Sequence, residues 1–416
     1  MDSRGNLVSY LLLLALVLFV FYRGILPGVR QVDSDFPNYY TAAKIVVDGK
    51  DIDKLYDDSW FQGRIRSYGM QSQGKFSPFP PATALVALPL SFFDPLMALQ
   101  ISVAINIGLL VLSMIILAHL LSLSYVESAV FTLLAGIGLA NGLRLGQLYI
   151  LLSCMTILGY YAYTRGKPVL GGVSLGLLVP IKYFPILFIV YFLIRREWRL
   201  ALAGMSAAFA VSLLGLVVLG WGIHREFLSS VVVDHFMSRY SQQNPFSSEF
   251  QSWDSLLRRL FVYDPTLNPN PLFSAGNLFL PAKLFVILLL ATFGLRSIVI
   301  VHRLQKRNVE WFAIGVLGIL GLLLAPGTAT YHFVLLWLPL ALLLKYYFVE
   351  GEKRAVVSLL GLYSLLGFIP YSFTKQFEGR GILAFLAFPR LFILLAMLVV
   401  TVYFVWNKAT PASVNQ

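Results

Sequence analysis

The 416-residue chain is 58% hydrophobic and only 12% charged, with a mean hydropathy of +0.76, whereas about a quarter of the residues in soluble domains are charged. The net charge of +12 does not indicate nucleic-acid binding, because the basic residues are dispersed over short loops between apolar runs. The single cysteine, Cys154, excludes an intrachain disulfide. This composition predicts an all-α polytopic membrane protein.

The apolar runs approach the length of about 20 residues that a helix needs to cross a bilayer. We predict about twelve transmembrane helices in a single integral membrane domain, 1–416, at residues 7–27, 95–121, 126–141, 147–164, 168–181, 184–195, 199–221, 279–302, 309–325, 333–349, 355–372 and 384–406. No small-x-small cleavage pattern follows the first run, so we interpret it as an uncleaved anchor. Two of the runs are short and meet at VPIKYFP, where Pro180 and Pro185 predict a broken helix.

An even number of spans places both termini on one side of the membrane. Basic residues in the short loops indicate that this side is the cytoplasm. They are Arg165, Lys167, Arg195, Arg196, Arg199, Arg303, Lys306, Arg307, Lys353 and Arg354. Segments 28–94 and 222–278 then form two long extracytoplasmic loops, which contain most of the acidic residues. Soluble-phase chemistry is expected in these loops.

The first long loop starts with VDSDFPNYYTAAKIVVDGKDIDKLYDDSW, a stretch with seven aspartates. Its first part predicts a short surface helix, with Pro37 in the first turn and Gly49 just beyond the end. Asp35 is either the N-cap of this helix or, if Asp33 or Ser34 caps it instead, a carboxylate available for chemistry. The later aspartates alternate with lysines and turn residues, which is typical of a solvated loop face.

The DSD sequence is also similar to the Asp-x-Asp pair with which nucleotide-sugar transferases hold a divalent ion. A hard cation recruits more oxygen ligands than such a pair supplies, and nucleotide sugars are absent from the extracytoplasmic side. The chain contains no Gly-rich phosphate loop, no Cys/His metal spacing and no Gly-x-Ser-x-Gly elbow. We therefore predict no cofactor, and a divalent metal is not favoured.

Several polar residues lie at predicted outer helix ends. Lys182 lies between two prolines at the helix break, so its ammonium group is expected to face a cavity. Arg144 either faces the same space or reaches the lipid headgroups. Arg259 belongs to FQSWDSLLRRLF, which is either a binding segment or an interfacial helix. His332 follows a Pro-Gly turn and is either a satisfied polar group or a functional histidine.

Five segments, taken in order, resemble glycosyltransferase family 87: DFPNYYTAAKIVVDGKDIDKLYD, FSPFPPATALVALPLSFF, GQLYILLSCMTILGYYAYTRGKPVLGGVSLGLLVPIKYFPILFIVYFLIRREWR, FQSWDSLLRRLF and APGTATYHFVLLWLPL. Members of this family are membrane mannosyltransferases of the GT-C type fold that use polyprenyl-phosphate sugars. The resemblance implies this fold, with short surface helices in the first outer loop. It also implies an active site on the extracytoplasmic side of a prokaryotic inner or plasma membrane.

The family's catalytic aspartate begins the motif that reads DFPNYY in this chain, which implies Asp35 as the catalytic base. Its histidine after a Ser/Ala-Pro turn corresponds to His332. The implied reaction is an inverting transfer of a single sugar, with mannose as the first choice, from a polyprenyl-phosphate donor. The acceptor is a hydroxyl of a lipid-linked glycan or glycolipid, and the lipids of the membrane are the other partner.

The departing phosphate needs cations, for which Lys182, Arg144 and Arg259 are the candidates. Tyr39, Gln147 and Gln251 are expected to contact the substrate.

Two other functions remain open at the level of the sequence. One is a flippase or transporter of lipid-linked sugars, which should carry paired charges at mid-membrane depth, whereas few charges beyond Arg296 lie in the middle of the predicted spans. The other is a ligase that transfers a whole glycan. A flippase has no use for a base in its first outer loop, so Asp35 is the residue that distinguishes it from a transferase.

Overall fold

A computed structural model describes residues 3–32, 35–236, 244–304 and 308–409. Within these ranges the secondary structure is helical, apart from one isolated bridge between Asp264 and Asn268. The predicted all-α architecture is therefore confirmed. The chain divides into two compact units, residues 1–133 with 138–241 and residues 134–137 with 242–416.

The α-helices up to residue 236 belong almost wholly to the first unit. They are α1 (Ser3–Val20), α2 (Leu26–Gly28), α3 (Phe36–Asp48), α4 (Asp58–Ser67), α5 (Pro95–Leu121), α6 (Tyr125–Leu133), α7 (Ile137–Arg144), α8 (Tyr149–Thr164), α9 (Pro168–Gly176), α10 (Ile186–Ile194), α11 (Trp198–Leu219), α12 (Trp221–Glu226) and α13 (Val232–Phe236). Short π-helices cover Phe21–Ile25 and Phe227–Val231, and 3₁₀ turns cover Ile52–Lys54, Pro81–Leu85 and Leu88–Phe92.

The second unit contains seven α-helices within its described residues. They are α14 (Trp253–Phe261), α15 (Phe279–Arg303), α16 (Val309–Leu323), α17 (Trp337–Val349), α18 (Lys353–Phe368), α19 (Tyr371–Lys375) and α20 (Pro389–Ala409). Its 3₁₀ segments are Gly276–Leu278, Thr330–Leu336 and Gly381–Ala387.

Six segments of the described chain are long and apolar enough to cross a membrane. They are Leu7–Gly28, Pro95–Leu121, Trp198–Leu219, Gly276–Arg303, Thr330–Val349 and Pro389–Trp406. A seventh span results if α6 and α7, which are bent by 78°, are counted as one broken helix. The other predicted spans contain helices of 16 residues or fewer, such as α8, α9, α10, α16 and α18. The number twelve therefore stays a prediction.

The helix is interrupted between α9 and α10, as the two prolines predict. Helix α9 ends at Gly176 and α10 begins at Ile186, with Pro185 in the N-cap position. A turn joins them, in which the backbone N–H of Lys182 donates to the carbonyl of Leu178 at 2.8 Å. Thr83, on the 3₁₀ turn Pro81–Leu85, donates its hydroxyl to the Ile181 carbonyl at 3.3 Å. This bond ties the break to the first long loop.

The surface helix α3 is held to the loop that follows it by polar contacts along its length. The Asn38 side chain accepts the Lys75 backbone N–H at 2.9 Å, Tyr40 donates its hydroxyl to the Phe93 carbonyl at 2.7 Å, and Lys44 donates to the Ser91 carbonyl at 3.1 Å. Apolar side chains of α3 pack against the two 3₁₀ turns of the proline-rich segment. The proline-rich segment, residues 76–95, therefore packs directly against α3.

The later aspartates of the first loop lie on its exposed side. Asp57 caps α4 by accepting the Trp60 backbone N–H at 3.0 Å. Asp48 accepts hydrogen bonds from Arg64 at 2.8 Å and from the Tyr68 hydroxyl at 2.6 Å. These contacts are structural, as expected of a solvated loop face.

Helices α9 and α11 cross at a distance that leaves no room for side chains. A Cβ atom on Gly172 would lie 2.1 Å from the Leu200 carbonyl oxygen, and one on Gly176 would lie 2.0 Å from the Gly204 carbonyl oxygen. Close backbone approach through small residues is a common way to pack membrane helices, because lipid provides no hydrophobic drive for their association. Glycine is therefore required at these positions.

We expect Gly176→Ala to destabilise the first unit, since the added methyl group must displace backbone and not a flexible side chain. The cost should be about 1–3 kcal/mol, seen as a fall of several degrees in the unfolding temperature of the purified protein in detergent. Gly108→Ala is the matched control, because Gly108 lies on the exposed side of α5 and a Cβ atom there meets nothing within 4 Å. Equal unfolding temperatures for the two variants would contradict the close crossing.

Candidate functional site

Asp35 occupies the N-cap position of α3, but no hydrogen bond from its side chain caps the helix. Its backbone carbonyl accepts the Asn38 N–H at 3.1 Å, and Pro37 lies in the first turn, where its missing N–H costs nothing. The Asp35 side chain is half-buried. The sequence left two roles open for the Asp35 side chain, a helix cap and a carboxylate available for chemistry. This geometry does not support the role of a helix cap. Asp33 and Ser34, the alternative caps, lie outside the described residues.

The Lys182 ammonium lies among three aromatic rings contributed by different parts of the first unit. Its Nζ atom is 4.1 Å from the centre of the Phe79 ring, 5.0 Å from that of Tyr149 and 6.0 Å from that of Tyr39. We call these three rings the ring cage. Ring faces attract cations through their quadrupole, and the attraction grows where water is excluded. The cage thus holds an ammonium group at the helix break, whereas the cavity that the sequence predicted beside Lys182 stays a prediction.

Asp35 acts electrostatically on this group. Burial lowers the pKa of Lys182 to about 7, and the negative charge of Asp35 opposes this shift. The carboxylate and the amine therefore belong to the same site. A lysine with a pKa near neutrality exists in both protonation states under ordinary conditions, so a bound anion can decide which state prevails.

Tyr39 and Gln147 face each other beside the ring cage. The Tyr39 hydroxyl donates to Gln147 Oε1 at 2.8 Å, and both side chains are buried. The Tyr39 ring stacks on the Phe79 ring with a centroid distance of 5.0 Å. The structure thus brings four predicted site residues, Asp35, Tyr39, Gln147 and Lys182, together in the first unit.

The turn that carries Gln147 can approach α3 only because of Gly146. This residue has a φ of 63°, and a Cβ atom on it would lie 2.8 Å from a ring carbon of Phe36. The backbone N–H of Gln147 donates to the Gly142 carbonyl at 2.9 Å, which closes the end of α7. Arg144 is half-buried in the last turn of that helix. Its predicted role as a phosphate ligand stays a prediction.

Gln251 and Arg259, in the second unit, are fully engaged with protein groups. The Gln251 amide nitrogen donates to the carbonyls of Ser248, at 2.5 Å, and Ala387, at 3.1 Å, while its oxygen accepts the Arg390 backbone N–H at 3.0 Å. Its side chain is completely buried. In this arrangement Gln251 holds the loop before α14 to the start of α20, and its predicted contact with substrate is untested.

The guanidinium group of Arg259 forms a buried ion pair with Glu378 at 3.1 Å. It also donates to the carbonyls of Phe246, at 2.6 Å, and Leu267, at 2.8 Å. Burial lowers the pKa of Arg259 and the charge of Glu378 raises it. These contacts leave little of the guanidinium for a donor phosphate, although the predicted role itself is untested.

His332 lies in the 3₁₀ segment Thr330–Leu336, at the start of the run that leads into α17. Its Nδ1 atom lies 2.9 Å from the backbone nitrogen and 3.1 Å from the backbone oxygen of Ala329. The ring lies against that of Tyr331, with centroids 5.0 Å apart. The side chain is half-buried, and its predicted catalytic role stays a prediction.

Sequence reasoning missed Phe79, Tyr149 and Arg390. Phe79 and Tyr149 form most of the ring cage, but aromatic residues in apolar segments are too common to single out. Arg390 is buried at the start of α20, where its Nε atom donates to the Leu366 carbonyl at 3.3 Å and its Nη2 atom to the Ile369 carbonyl. The signal for Arg390 was available, because a cation inside an apolar run is rare.

No group of three or more His, Cys, Asp or Glu side chains in the described parts of the chain is arranged to hold a metal ion.

The profile of glycosyltransferase family 87 matches residues 78–326, which is more than half of the 416 residues. The protein is thus a membrane glycosyltransferase. It belongs to glycosyltransferase family 87, as the sequence motifs indicated, and the GT-C type of fold is that of this family. The matched residues include Lys182 and Gln147, whereas Asp35, Tyr39 and His332 lie outside them.

Among solved structures, the chain is similar to ArnT from Cupriavidus metallidurans, whose crystal structure contains bound undecaprenyl phosphate. The similarity covers 98% of this chain and 78% of ArnT, with 15% sequence identity and a TM-score of 0.43. No curated protein sequence matches the chain.

Proposed function

We propose that this glycosyltransferase moves one sugar, mannose, from a polyprenyl-phosphate donor to a hydroxyl of a lipid-linked glycan or glycolipid. The reaction takes place on the extracytoplasmic face of a prokaryotic inner or plasma membrane, without a metal cofactor. The observation that carries the proposal is the site at α3, where a half-buried carboxylate acts on an ammonium group held by aromatic rings. Membership of family 87 supplies the reaction class.

The chemistry of the donor explains why one carboxylate is enough. When the bond between the sugar and the phosphate breaks, the leaving group is a phosphate monoester, which is stable as an anion and needs no general acid. The remaining proton is on the acceptor hydroxyl. Asp35 takes this proton as the hydroxyl attacks the anomeric carbon, so the displacement is single and the configuration is inverted.

Lys182 has a separate role in this proposal, which is to hold the donor phosphate. Negative charge on the phosphate grows as the bond to the sugar breaks, and a fixed cation stabilises that change. The rings of the cage suit this role for two reasons. They keep water from the amine, and they offer an apolar surface to a sugar or a lipid. Arg144 would add positive charge at the same end of the first unit, and its side chain is half-buried there.

His332 is a further proposed catalytic residue, because an imidazole can exchange a proton near neutral pH. The proposal also keeps Gln251 as a residue that contacts the substrate and Arg259 as a residue that binds the donor phosphate.

We expect Asp35→Asn to reduce the turnover of sugar transfer by about 10²–10⁴-fold, because the amide cannot accept the proton of the acceptor. Donor binding and the unfolding temperature should stay close to those of the wild type. Sugar transfer is measured with polyprenyl-phosphate mannose and a membrane glycolipid extract, by mass spectrometry of the products. Asp57→Asn is the control, since Asp57 is an exposed N-cap and asparagine caps equally well.

Near-normal turnover of the Asp35→Asn variant would mean that Asp35 is structural, and the base would have to be sought at Asp33 or His332. If the wild-type protein moves lipid-linked sugars across the membrane but transfers none, it is a flippase. Transfer of a whole glycan in place of one sugar would make it a ligase.

We expect donor affinity to depend on pH through Lys182. A bound phosphate raises the pKa of the amine above its free value of about 7, so affinity is full below pH 7 and falls as the pH rises above it. The decrease is at most about tenfold per pH unit. Equilibrium binding of polyprenyl-phosphate mannose between pH 6 and 9 measures this slope.

Two substitutions at Lys182 separate charge from shape. Lys182→Ala should bind the donor weakly at every pH, whereas Lys182→Arg should retain part of the affinity with a flat pH profile, because the guanidinium stays charged. An alanine variant with wild-type affinity would reject the phosphate-binding role.

The proposed sidedness is tested by cysteine labelling. Cys154 is buried, so the natural protein offers little background. We expect Gln71→Cys and Glu249→Cys, at exposed positions in the two long loops, to react with a membrane-impermeant maleimide from outside, and Lys353→Cys to react only after the membrane is opened. The reverse pattern would overturn the topology.

A further inference from the structure

We propose that Tyr39 is a positioning residue whose hydroxyl, bonded to Gln147, fixes its ring as one wall of the ring cage and thereby holds the Lys182 amine towards the donor phosphate. This inference rests on the proposed function, in which Lys182 binds the phosphate. It assigns Tyr39 and Gln147 a different task from the direct contact with substrate that the sequence suggested.

A continuous series of contacts connects Gln147, which follows α7, with the Lys182 amine. The Gln147 amide oxygen accepts the Tyr39 hydroxyl at 2.8 Å, the Tyr39 and Phe79 rings stack at 5.0 Å, and the Lys182 Nζ atom lies 4.1 Å from the Phe79 ring centre. The Tyr39 ring itself lies 6.0 Å from Nζ. A rotation of the Tyr39 ring would therefore disturb both its own contact with the amine and the position of the Phe79 ring.

The hydroxyl and the amide oxygen are occupied with each other. Tyr39 is 1% exposed and Gln147 is 2% exposed, so neither group presents a polar atom to an open cavity. A buried pair of this kind is well suited to fix a ring, because the alternative is an unsatisfied polar group away from water. It is poorly suited to bind a sugar, which would have to displace the bond.

The titratable groups that face the amine come from three parts of the unit. They are Asp35 before α3, Tyr39 on α3 and Tyr149 at the start of α8. Asp35 favours the protonated amine, and exclusion of water by the rings disfavours it. If the Tyr39 ring moves, water reaches the amine and the exclusion weakens. The pH at which donor affinity begins to fall should then shift upwards.

The neighbouring residue provides a matched control. Tyr40 is also on α3, is 3% exposed and donates its hydroxyl to the Phe93 carbonyl at 2.7 Å. Tyr39→Phe and Tyr40→Phe therefore remove the same group from the same helix, each with the loss of one hydrogen bond, which is buried for Tyr39 and partly buried for Tyr40. Tyr39 is one of the three rings of the cage and Tyr40 is not, so a merely structural role predicts equal effects from the two substitutions.

The experiment measures the affinity for polyprenyl-phosphate mannose between pH 6 and 9, with the unfolding temperature of each variant recorded beside it. We expect Tyr39→Phe to weaken binding about 3- to 10-fold at pH 6.5, the usual worth of one hydrogen bond, and to raise the pH at which affinity falls. Gln147→Leu should do the same, and the double variant should be no weaker than either single one. Tyr40→Phe should leave the pH profile unchanged.

A second comparison uses a Lys182→Ala background. A positioning residue acts through the amine, so Tyr39→Phe should add no further loss of affinity there. Further weakening in that background would show that Tyr39 touches the donor directly and would overturn the inference, as would a pH profile equal to that of Tyr40→Phe. If Lys182→Ala itself binds the donor normally, the proposed phosphate-binding role fails first, which is a distinguishable result.

Discussion

An ammonium group surrounded by aromatic rings keeps its position only while the rings stay in place. The site in the first unit depends on this condition. Lys182 lies at a break between two helices, where backbone groups need protein partners. Its charge is supported by Asp35 and by the ring faces, and opposed by the loss of water. The surface helix, the proline-rich turns and the glycine turn before Gln147 all serve to bring these groups together.

The two units hold their candidate site residues by different kinds of contact. In the first unit, the Lys182 amine lies among the faces of three aromatic rings, and Asp35 is placed by its position at the start of α3. In the second unit, Gln251, Arg259 and Arg390 are satisfied by carbonyl oxygens and by Glu378. A ligand phosphate can compete with ring faces for a cation far more readily than with a buried ion pair. This difference supports the proposal that the donor phosphate binds in the first unit.

Helix positions could be predicted well from the sequence, because the signals that end helices are local. The span 95–121 was predicted at the bounds of α5, which begins at Pro95 and ends before Ser122 in the left-handed region. The bend between α6 and α7 was not predicted, since its signal is Gly136 at a φ of 54° and no proline marks it. For the site, local sequence signals pointed to Asp35 and Lys182. The ring cage could not be predicted, because it depends on tertiary contacts that the periodicity of the sequence does not encode.

The close crossing of α9 and α11 has a mechanical consequence. Gly176 touches the backbone of α11 at the end of α9, just before the break that carries Lys182, and Ala82, on the turn that follows Phe79, packs against Gly215 of the same α11. Helix α11 therefore contacts both the end of α9, which leads to Lys182, and the proline-rich segment that contains Phe79 of the ring cage. Bilayers differ in thickness, and membrane helices tilt to match them. If α11 tilts, the Lys182 amine and the proline-rich segment should move with it together. The distances within the site would then not depend on the thickness of the membrane.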